Sequence, residues 1–457
     1  MRAFLPFVLL LILAGCTVGP NYQRPKVTVP GDYRNQSADQ PATAESLGDE
    51  KWWTVFHDEE LQKLIRTALQ QNYDVRTAAA RILQAQAQLT ITRSGQFPTF
   101  SGQAGFTSER IPGFGISADI LALEGAGSWT PDFWGQYRRA TEAARANLLA
   151  TEWSRRQVLS TVVETVATAY FELGELDLEL QIARRTLASR QESLKLTQTL
   201  SNGGAVPLLD VRQAEQLVET AASVIPDTER QISQQEDLLS TLLGENPHDI
   251  PRGLKLTEEP VPATVPAGLP SKLLERRPDI RQAEQQLVSA NAEIGVARAQ
   301  LFPSLPLTGS GGIASTSLAS LFSTGAGVWN FSAPITQPFF NAGRLRANVR
   351  YSEAVQQQYV LNYRQVIQQA FRQVSDSLTA LTKYRQTREH QELLTAAAQD
   401  AVRLSDLRYR GGVTSYLESL TNETNYFAAQ LNLARAQLQE RLSLVQVYTA
   451  LGGGWQS

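Results

Sequence analysis

The chain has 457 residues, with 42 Lys and Arg against 45 Asp and Glu, a formal net charge of −3 that gives no reason to expect nucleic acid. Its single cysteine, Cys16, excludes an internal disulfide framework, and three histidines with one methionine leave little material for metal handling. No later segment approaches the ~20 consecutive apolar residues of a spanning helix, so any further crossing of a bilayer must be made by strands in a closed barrel.

Residues 1–15 read as an export signal: Arg2, an apolar core from Phe4 to Leu13 broken by Pro6, then Leu13-Ala14-Gly15-Cys16. The ending resembles a bacterial lipobox, in which the Cys16 sulfur takes a diacylglycerol and its nitrogen an acyl chain; an ordinary signal with an incidental Cys is the alternative. Thr17, rather than Asp, follows the cysteine, which favours the outer membrane for such a lipoprotein. Residues 16–57 form an arm rich in Pro, Asn, Asp and Gln, with aromatic anchors in Lys51-Trp52-Trp53-Thr54-Val55-Phe56.

Beyond the arm the chain repeats itself. Gly204 and Gly412 are 208 residues apart, as are Leu243-Gly244 and Leu451-Gly452, Trp134-Gly135 and Ala342-Gly343, and Val166, Tyr170, Leu173 against Val374, Leu378, Leu381. Phe97-Pro98 pairs with Phe302-Pro303 at an offset shorter by three. A duplicated strand and helix unit of this length predicts one pseudo-symmetric body. The first repeat covers 58–245, a Pro-rich linker 246–270 and the second repeat 271–457.

In the first repeat, Asp58 caps a helix to Gln71, and a second helix runs from Tyr73 to Ser94. Strands follow over about 97–134, where Phe100, Gly102, Ala104 and Phe106 alternate with Ser101, Gln103, Gly105 and Thr107. The second repeat does the same over about 302–340, with Trp329, Phe331, Ala333 and Ile335 alternating against Val328, Asn330, Ser332 and Pro334. An aromatic face backed by a small polar face suits a strand between lipid and a lumen, and it equally suits an amphipathic hairpin packed on a soluble core. The Gly- and Ser-rich stretches 111–127 and 314–327 read as exposed turns. Four strands cannot close a membrane barrel, since the smallest have about eight, so a barrel must be shared among chains.

The helices are long. Gln136–Ser201 and Leu345–Arg410 lack proline, and each would extend on the order of 100 Å, which predicts a coiled coil. Val163, Val166, Tyr170 and Leu173 match Phe371, Val374, Leu378 and Leu381 as seams, and Leu180, Leu187 and Leu194 continue from Leu173 at seven-residue steps. Each long helix ends at a Gly pair and returns as a second helix, Pro207–Leu243 or Tyr416–Leu451.

The combination resembles the outer membrane factor family, the TolC-like channels, in its lipidated NodT-like branch. Its most specific pieces are Leu273-Leu274-Glu275-Arg276-Arg277-Pro278-Asp279-Ile280, Arg408-Tyr409-Arg410-Gly411-Gly412-Val413, Phe302-Pro303 and Phe340-Asn341-Ala342-Gly343-Arg344. The resemblance implies a mainly helical fold with membrane strands. Three chains would share a 12-strand barrel continued by a periplasmic α-helical coiled-coil barrel. It implies no enzyme activity and no cofactor beyond the lipid on Cys16. Partners would be a homotrimer, a periplasmic adaptor and an inner-membrane pump of RND type, and the duct would be a passive exit for small toxic molecules. Protein or peptide secretion with an ABC transporter is an alternative cargo, and a pore-free coiled-coil lipoprotein an alternative class.

The same resemblance places function at the tip. Gly203, Gly204, Gly411, Gly412 and Ser415 would meet the adaptor. Asp210, Arg408, Tyr409, Arg410 and Glu418 would form a gate network, with a Tyr409 to Asp210 hydrogen bond of about 1.5–3 kcal/mol if partly buried; simple exposure near a turn is the alternative. Family members often carry an acidic ring on the lumen side. Here the matching positions are Glu418 and Thr421, so the ring would be weaker, and Val413 and Leu417 could supply an apolar constriction instead.

Overall fold

A computed structural model describes residues 17–34, 45–111, 116–262 and 264–456; the export signal and Cys16 lie outside the described residues. The described residues divide into two compact units, one drawn from those within 1–27, 80–152 and 282–365, the other from those within 28–79, 153–281 and 366–457. Its helices are α1 (Trp52–Val55), α2 (Glu59–Gln71), α3 (Tyr73–Ser94), α4 (Gln136–Asn202), α5 (Leu208–Leu243), α6 (Pro270–Arg276), α7 (Pro278–Ala299), α8 (Arg344–Arg410) and α9 (Tyr416–Ala450). Its strands are β1 (Thr99–Ile111), β2 (Ile116–Trp129), β3 (Leu307–Ser315) and β4 (Gly327–Ser332).

The first unit carries the strands as one antiparallel sheet in the order β1-β2-β3-β4. Its register sorts the side chains cleanly. Phe100 lies opposite Gly127, Gly309 and Phe331, and Gly102 opposite Gly125, Gly311 and Trp329. On the other face Ser101 meets Ala126, Ser310 and Asn330, and Thr99 meets Ser128, Thr308 and Ser332. Phe100 and Trp329 are 82% and 83% exposed, so the aromatic face is turned away from this chain's own core. That placement excludes an amphipathic hairpin packed on a soluble core. Among the described residues the outer edges of β1 and β4 have no strand neighbour.

The first turn is shorter than its composition predicts. β2 begins at Ile116, so residues 116–127, expected as part of a loop, are mostly strand. Small residues do not oppose pairing when the opposing strand supplies partners: Ser108 Oγ donates to Asp119 Oδ1 at 2.6 Å inside that stretch. The second turn is irregular, with a short 3-10 helix at Leu318–Ser320. β3 starts only after Pro306 and β4 stops before Pro334, because proline has no ladder donor.

The arm closes on this unit's helices. Arg24 makes a double hydrogen bond to Glu284 on α7, 2.8 Å through both Nε and Nη2, and the Asn291 amide donates to the Pro20 carbonyl at 2.9 Å. Trp134 stacks on Phe302 at 4.7 Å and donates to the Pro303 carbonyl, joining the exit of the first strand pair to the entry of the second.

The second unit is helical. Val163, Val166, Tyr170 and Leu173 of α4 and Val374, Leu378 and Leu381 of α8 are buried, as their heptads predict. Further along α4 the seam departs from expectation. Leu180, Leu187 and Leu194 are only half buried, whereas Ala183, Arg190 and Thr197, also at seven-residue steps, are buried. Ala183 and Thr197 are small enough to let a neighbour approach on that stripe, Arg190 is buried against the Phe427 ring, and the leucines stand at its border. Ile182 packs with Phe427 and Ala434, flanked by Leu178, Val224 and Leu431. Pro226 sits inside α5, where it removes one backbone donor and leaves the carbonyl four residues earlier without its helical partner. Pro207 stands at the N-cap rather than within the first turn.

Asp58 caps α2, accepting from the Glu60 and Leu61 amides, and its second oxygen accepts from Tyr170 Oη and the Leu254 amide, both at 2.7 Å. The connecting segment is thereby strapped to α4.

One buried carboxyl pair gives α4 a pH dependence. Glu179 is bonded to Arg435 at 3.1 Å, while Glu175, 7% exposed, is pushed up to about 8 by its burial and then by the Glu179 carboxylate. Glu175 therefore keeps its proton in the folded state well above its ordinary 4.5. A raised carboxyl contributes stability fully below the unfolded value and loses it as pH rises through the folded one. Stability should fall between about pH 4.5 and pH 8, and Glu175→Gln should flatten that slope and stabilise the protein above it. Urea midpoints on both sides of the window check this; an unchanged slope in the variant refutes it.

Candidate functional site

Two helix turns in the second unit carry most of the predicted site residues. In each, the last carbonyls of a long helix are closed by the same pair of bonds: Gly204 N to Ser201 O and Ala205 N to Leu200 O in the first, Gly412 N to Tyr409 O and Val413 N to Arg408 O in the second, all 2.9 Å. The second glycine of each pair adopts φ +74° or +68°, the left-handed conformation that this closure requires. Gly203 and Gly411 are exposed and precede it; a Cβ at Gly203 would make only ordinary contacts, whereas at Gly411 it would press to 3.3 Å from the Leu407 carbonyl oxygen. Ser415 is the N-cap of α9 but makes no side-chain cap bond.

The second turn is stapled by charge. Arg408 Nη1 lies 3.1 Å from Glu418 Oε1, and Thr414 donates its hydroxyl to Glu418 Oε2. Arg410 pairs instead along its own helix with Asp406, at 2.8 Å. The structure thus brings Arg408 and Glu418 together and leaves Arg410 outside that contact. Glu418 faces a cation within its own chain, so its charge is balanced rather than presented bare. Thr421 donates to the Leu417 carbonyl, as a helical threonine does. Val413 and Leu417 are 71% and 56% exposed, available to line an opening.

The expected Tyr409 to Asp210 hydrogen bond is not formed. The Tyr409 hydroxyl is buried without a well-formed partner. Burial first, then the field of Asp210, raises its pKa, while Thr197, which itself donates to the Ser193 carbonyl, opposes the shift. The ring packs tilted at 56° against Tyr416 with centroids 5.2 Å apart, a contact between rings in place of a latch to Asp210. Burial also raises Asp210.

Behind the turns is a group that sequence reasoning missed. Arg190, 2% exposed, places its guanidinium 5.0 Å from the Phe427 ring centre and donates to the Leu217 carbonyl at 2.8 Å. Glu423 and Tyr416 lie in its field; burial raises both and Arg190 opposes that rise. The seven-residue step from Ala183 to Arg190 to Thr197 was the available signal, masked by the louder leucine series beside it. Leu208 and Leu209, 62% and 63% exposed at the start of α5, were likewise overlooked as apolar surface at the first turn.

The sequence profile of the outer membrane efflux protein family matches residues 64–245 and 269–453, one segment in each copy. The chain belongs to this family. It is 37% identical over 454 residues to the probable efflux pump outer membrane protein TtgC of Pseudomonas putida, covering 97% of this chain and 94% of that one. It is 36% identical over 454 residues to the cation efflux system protein CusC of Escherichia coli, covering 99% and 98%. Among solved structures it resembles the open state of the Neisseria gonorrhoeae MtrE outer membrane channel, with a TM-score of 0.89 at 33% identity over 96% of this chain and 99% of that one. As a member of the family it is an outer membrane efflux protein, mainly helical and built from duplicated repeats. Among the described residues no helix is long and apolar enough to cross a membrane.

Proposed function

We propose that three copies of this chain form a passive outer membrane duct for small toxic molecules, anchored by lipid on Cys16 and reaching into the periplasm. The sheet carries the reading: four strands with an aromatic outer face, a Ser-, Thr- and Asn-bearing opposite face and two open edges. Edge strands without neighbours invite pairing with the next copy, and three times four strands close a 12-strand barrel with a polar lumen. The drive comes from an inner-membrane pump, of RND type in this reading, reached through a periplasmic adaptor. Gly203, Gly204, Gly411, Gly412 and Ser415 form the docking tip, with the exposed Leu208 and Leu209 beside them. Val413 and Leu417 narrow the entrance. Asp210, Arg408, Tyr409, Arg410 and Glu418 set the state of that entrance, with Arg408 and Glu418 as its charge pair.

A Ser415→Cys variant carrying a photo-crosslinker tests the docking in living cells. Recovery of an adaptor with a proton-driven pump supports the proposal. An ABC transporter moves the cargo toward peptides or proteins, and intact trimers with no inner-membrane partner overturn the duct reading.

The staple predicts an electrical result. An exposed pair of this kind contributes no more than about 1 kcal/mol, so Arg408→Ala should leave the fold intact. It unmasks Glu418 in every copy. Trimers in planar bilayers under a salt gradient should shift their reversal potential toward cation selectivity by several-fold in permeability ratio, and Glu418→Gln should shift it the other way. Identical reversal potentials in all three proteins would remove this pair from the entrance.

A further inference from the structure

The aromatic face of the sheet carries a furrow of about 530 Å³. Gly125 and Gly127 of β2 and Gly309 of β3 floor it, and the exposed rings of Phe100 on β1 and Phe331 on β4 stand on either side. A Cβ at Gly125 or Gly309 would meet nothing nearer than 3.9 or 3.7 Å, so the space above the floor is open. Along the strands the floor ends at one end where Leu123 pairs with Ile313, and at the foot where Trp129 pairs with Leu307. From Leu123 to Trp129 is 6 residues, or about 20 Å of extended strand. One leaflet's share of the hydrocarbon core is about 15 Å. The furrow has the length of one acyl chain lying along the strands.

The arm is fastened at the foot of this furrow. Thr17 lies against Gly135, where a Cβ would stand 2.9 Å from the threonine Cγ2, and the Val18 amide donates to the Trp134 carbonyl at 3.1 Å. From Trp129 to Gly135 the chain can reach at most about 20 Å. The true path is shorter, because the Phe133 amide turns back to the Pro131 carbonyl at 3.0 Å. Trp134 is tied in turn to Pro303, 4 residues before Leu307. Trp129 is itself held by its indole N–H on the Gln96 carbonyl at 3.1 Å. A group carried by the residue before Thr17 therefore starts beside the ends of β2 and β3 that open the furrow.

We propose that the furrow seats an acyl chain of the lipid on Cys16 of the same chain, so that the anchor lies on the sheet instead of hanging free in the bilayer. Lipid tails are as apolar as leucine, and no hydrophobic drive separates the furrow from the membrane around it. Fit separates them: two rings and a glycine floor give a tail contacts on three sides. A free lipid settling there gives up freedom that the anchor has already lost at Thr17, so the tethered chain seats at smaller cost. The inference rests on the lipidation of Cys16 proposed above and adds where that lipid goes.

The test places the photo-crosslinking residue p-benzoylphenylalanine at Phe331 of the full-length protein in living cells. The control carries it at Phe106, 64% exposed on the same face but further from the foot. Mass spectrometry of the purified protein reads the N-terminal lipopeptide before and after irradiation. The lipopeptide should become joined to position 331 within one chain and not to position 106. Gly125→Leu, whose side chain fills the furrow without meeting backbone closely, should lose that product while Cys16 keeps its lipid. Gly309→Leu fills it from β3 and serves if Gly125→Leu does not assemble. An unmodified Cys16 overturns the anchor itself. With Cys16 lipidated, the seat alone is overturned by no product at 331, by a product joining two chains, or by phospholipid in place of the lipopeptide. Equal yields at 331 and 106, or a product that persists in the filled variant, overturn it as well.

Discussion

Arg277→Ala should destabilise the protein by about 3–5 kcal/mol, the cost of breaking a buried ion pair by removing one partner. The side chain is 6% exposed, and each of its arms is occupied. Nε and Nη2 hold the two oxygens of Asp279 at 3.0 and 2.6 Å, Nη2 also reaches Gln373 Oε1 at 2.7 Å on α8, and Nη1 donates to the Ala450 carbonyl at 2.9 Å at the end of α9. Truncation strands a partly buried carboxylate and a helix-terminal carbonyl at once. Arg277→Lys should recover little, since an ammonium is a point charge and cannot present the planar fork that serves three partners. Thermal and urea unfolding followed by circular dichroism give the comparison. A loss below about 1 kcal/mol in Arg277→Ala would mean that water replaces the guanidinium freely and the site is not a tie. The adjacent Arg276 acts in a similar way on Ser46 and Asp49, so the two neighbouring arginines of one motif gather the arm, α8 and the end of α9.

Gly312→Val should prevent assembly of the strand region, while Gly311→Val should leave it near wild type. The two glycines are neighbours on β3 and point to opposite faces. A Cβ at Gly312 would stand 2.1 Å from the Leu123 carbonyl oxygen and 2.7 Å from Glu124 Cα, both backbone of β2. No rotamer change relieves a clash with backbone, so β3 must shift away, at about 1–3 kcal/mol or more for overpacking. The ladder at risk is the β2–β3 pairing, which joins the first copy to the second. At Gly311 the nearest atom would be 3.9 Å away, and the face is the aromatic one, which in the proposed barrel would accept valine. Heat-modifiable migration of the outer membrane fraction distinguishes the two variants. Equal behaviour would show that the β2–β3 junction is not required for the assembled sheet.

Much of this architecture was legible because periodicity and repetition are long-range statistics that local irregularity cannot erase. The 208-residue offset, the glycine-paired turns and the buried heptads of Val163–Leu173 and Val374–Leu381 needed no coordinates. What escaped was decided by pairs of atoms. Residues 116–127 look like a loop by composition and form a strand because β1 lies alongside. The leucines at 180, 187 and 194 outshine the less apolar stripe that is actually buried. Asp210 lies near enough for its charge to help raise the Tyr409 phenol, and the two still do not bond. The staple from Arg408 to Glu418 joins residues both named in advance, but their pairing was visible only in space.

The paired turns have a consequence for variation. Their backbones are held alike by left-handed glycines, yet the flanking side chains differ: Leu209 against Leu417, but Ala205 against Val413, Asp210 against Glu418, and Asn202 against Arg410. A ring assembled from identical single-turn chains would change every position whenever one codon changed. In the proposed ring of these two-turn chains a codon would alter only every second position, so half of it could drift toward a new docking surface while the alternate half retained the old one.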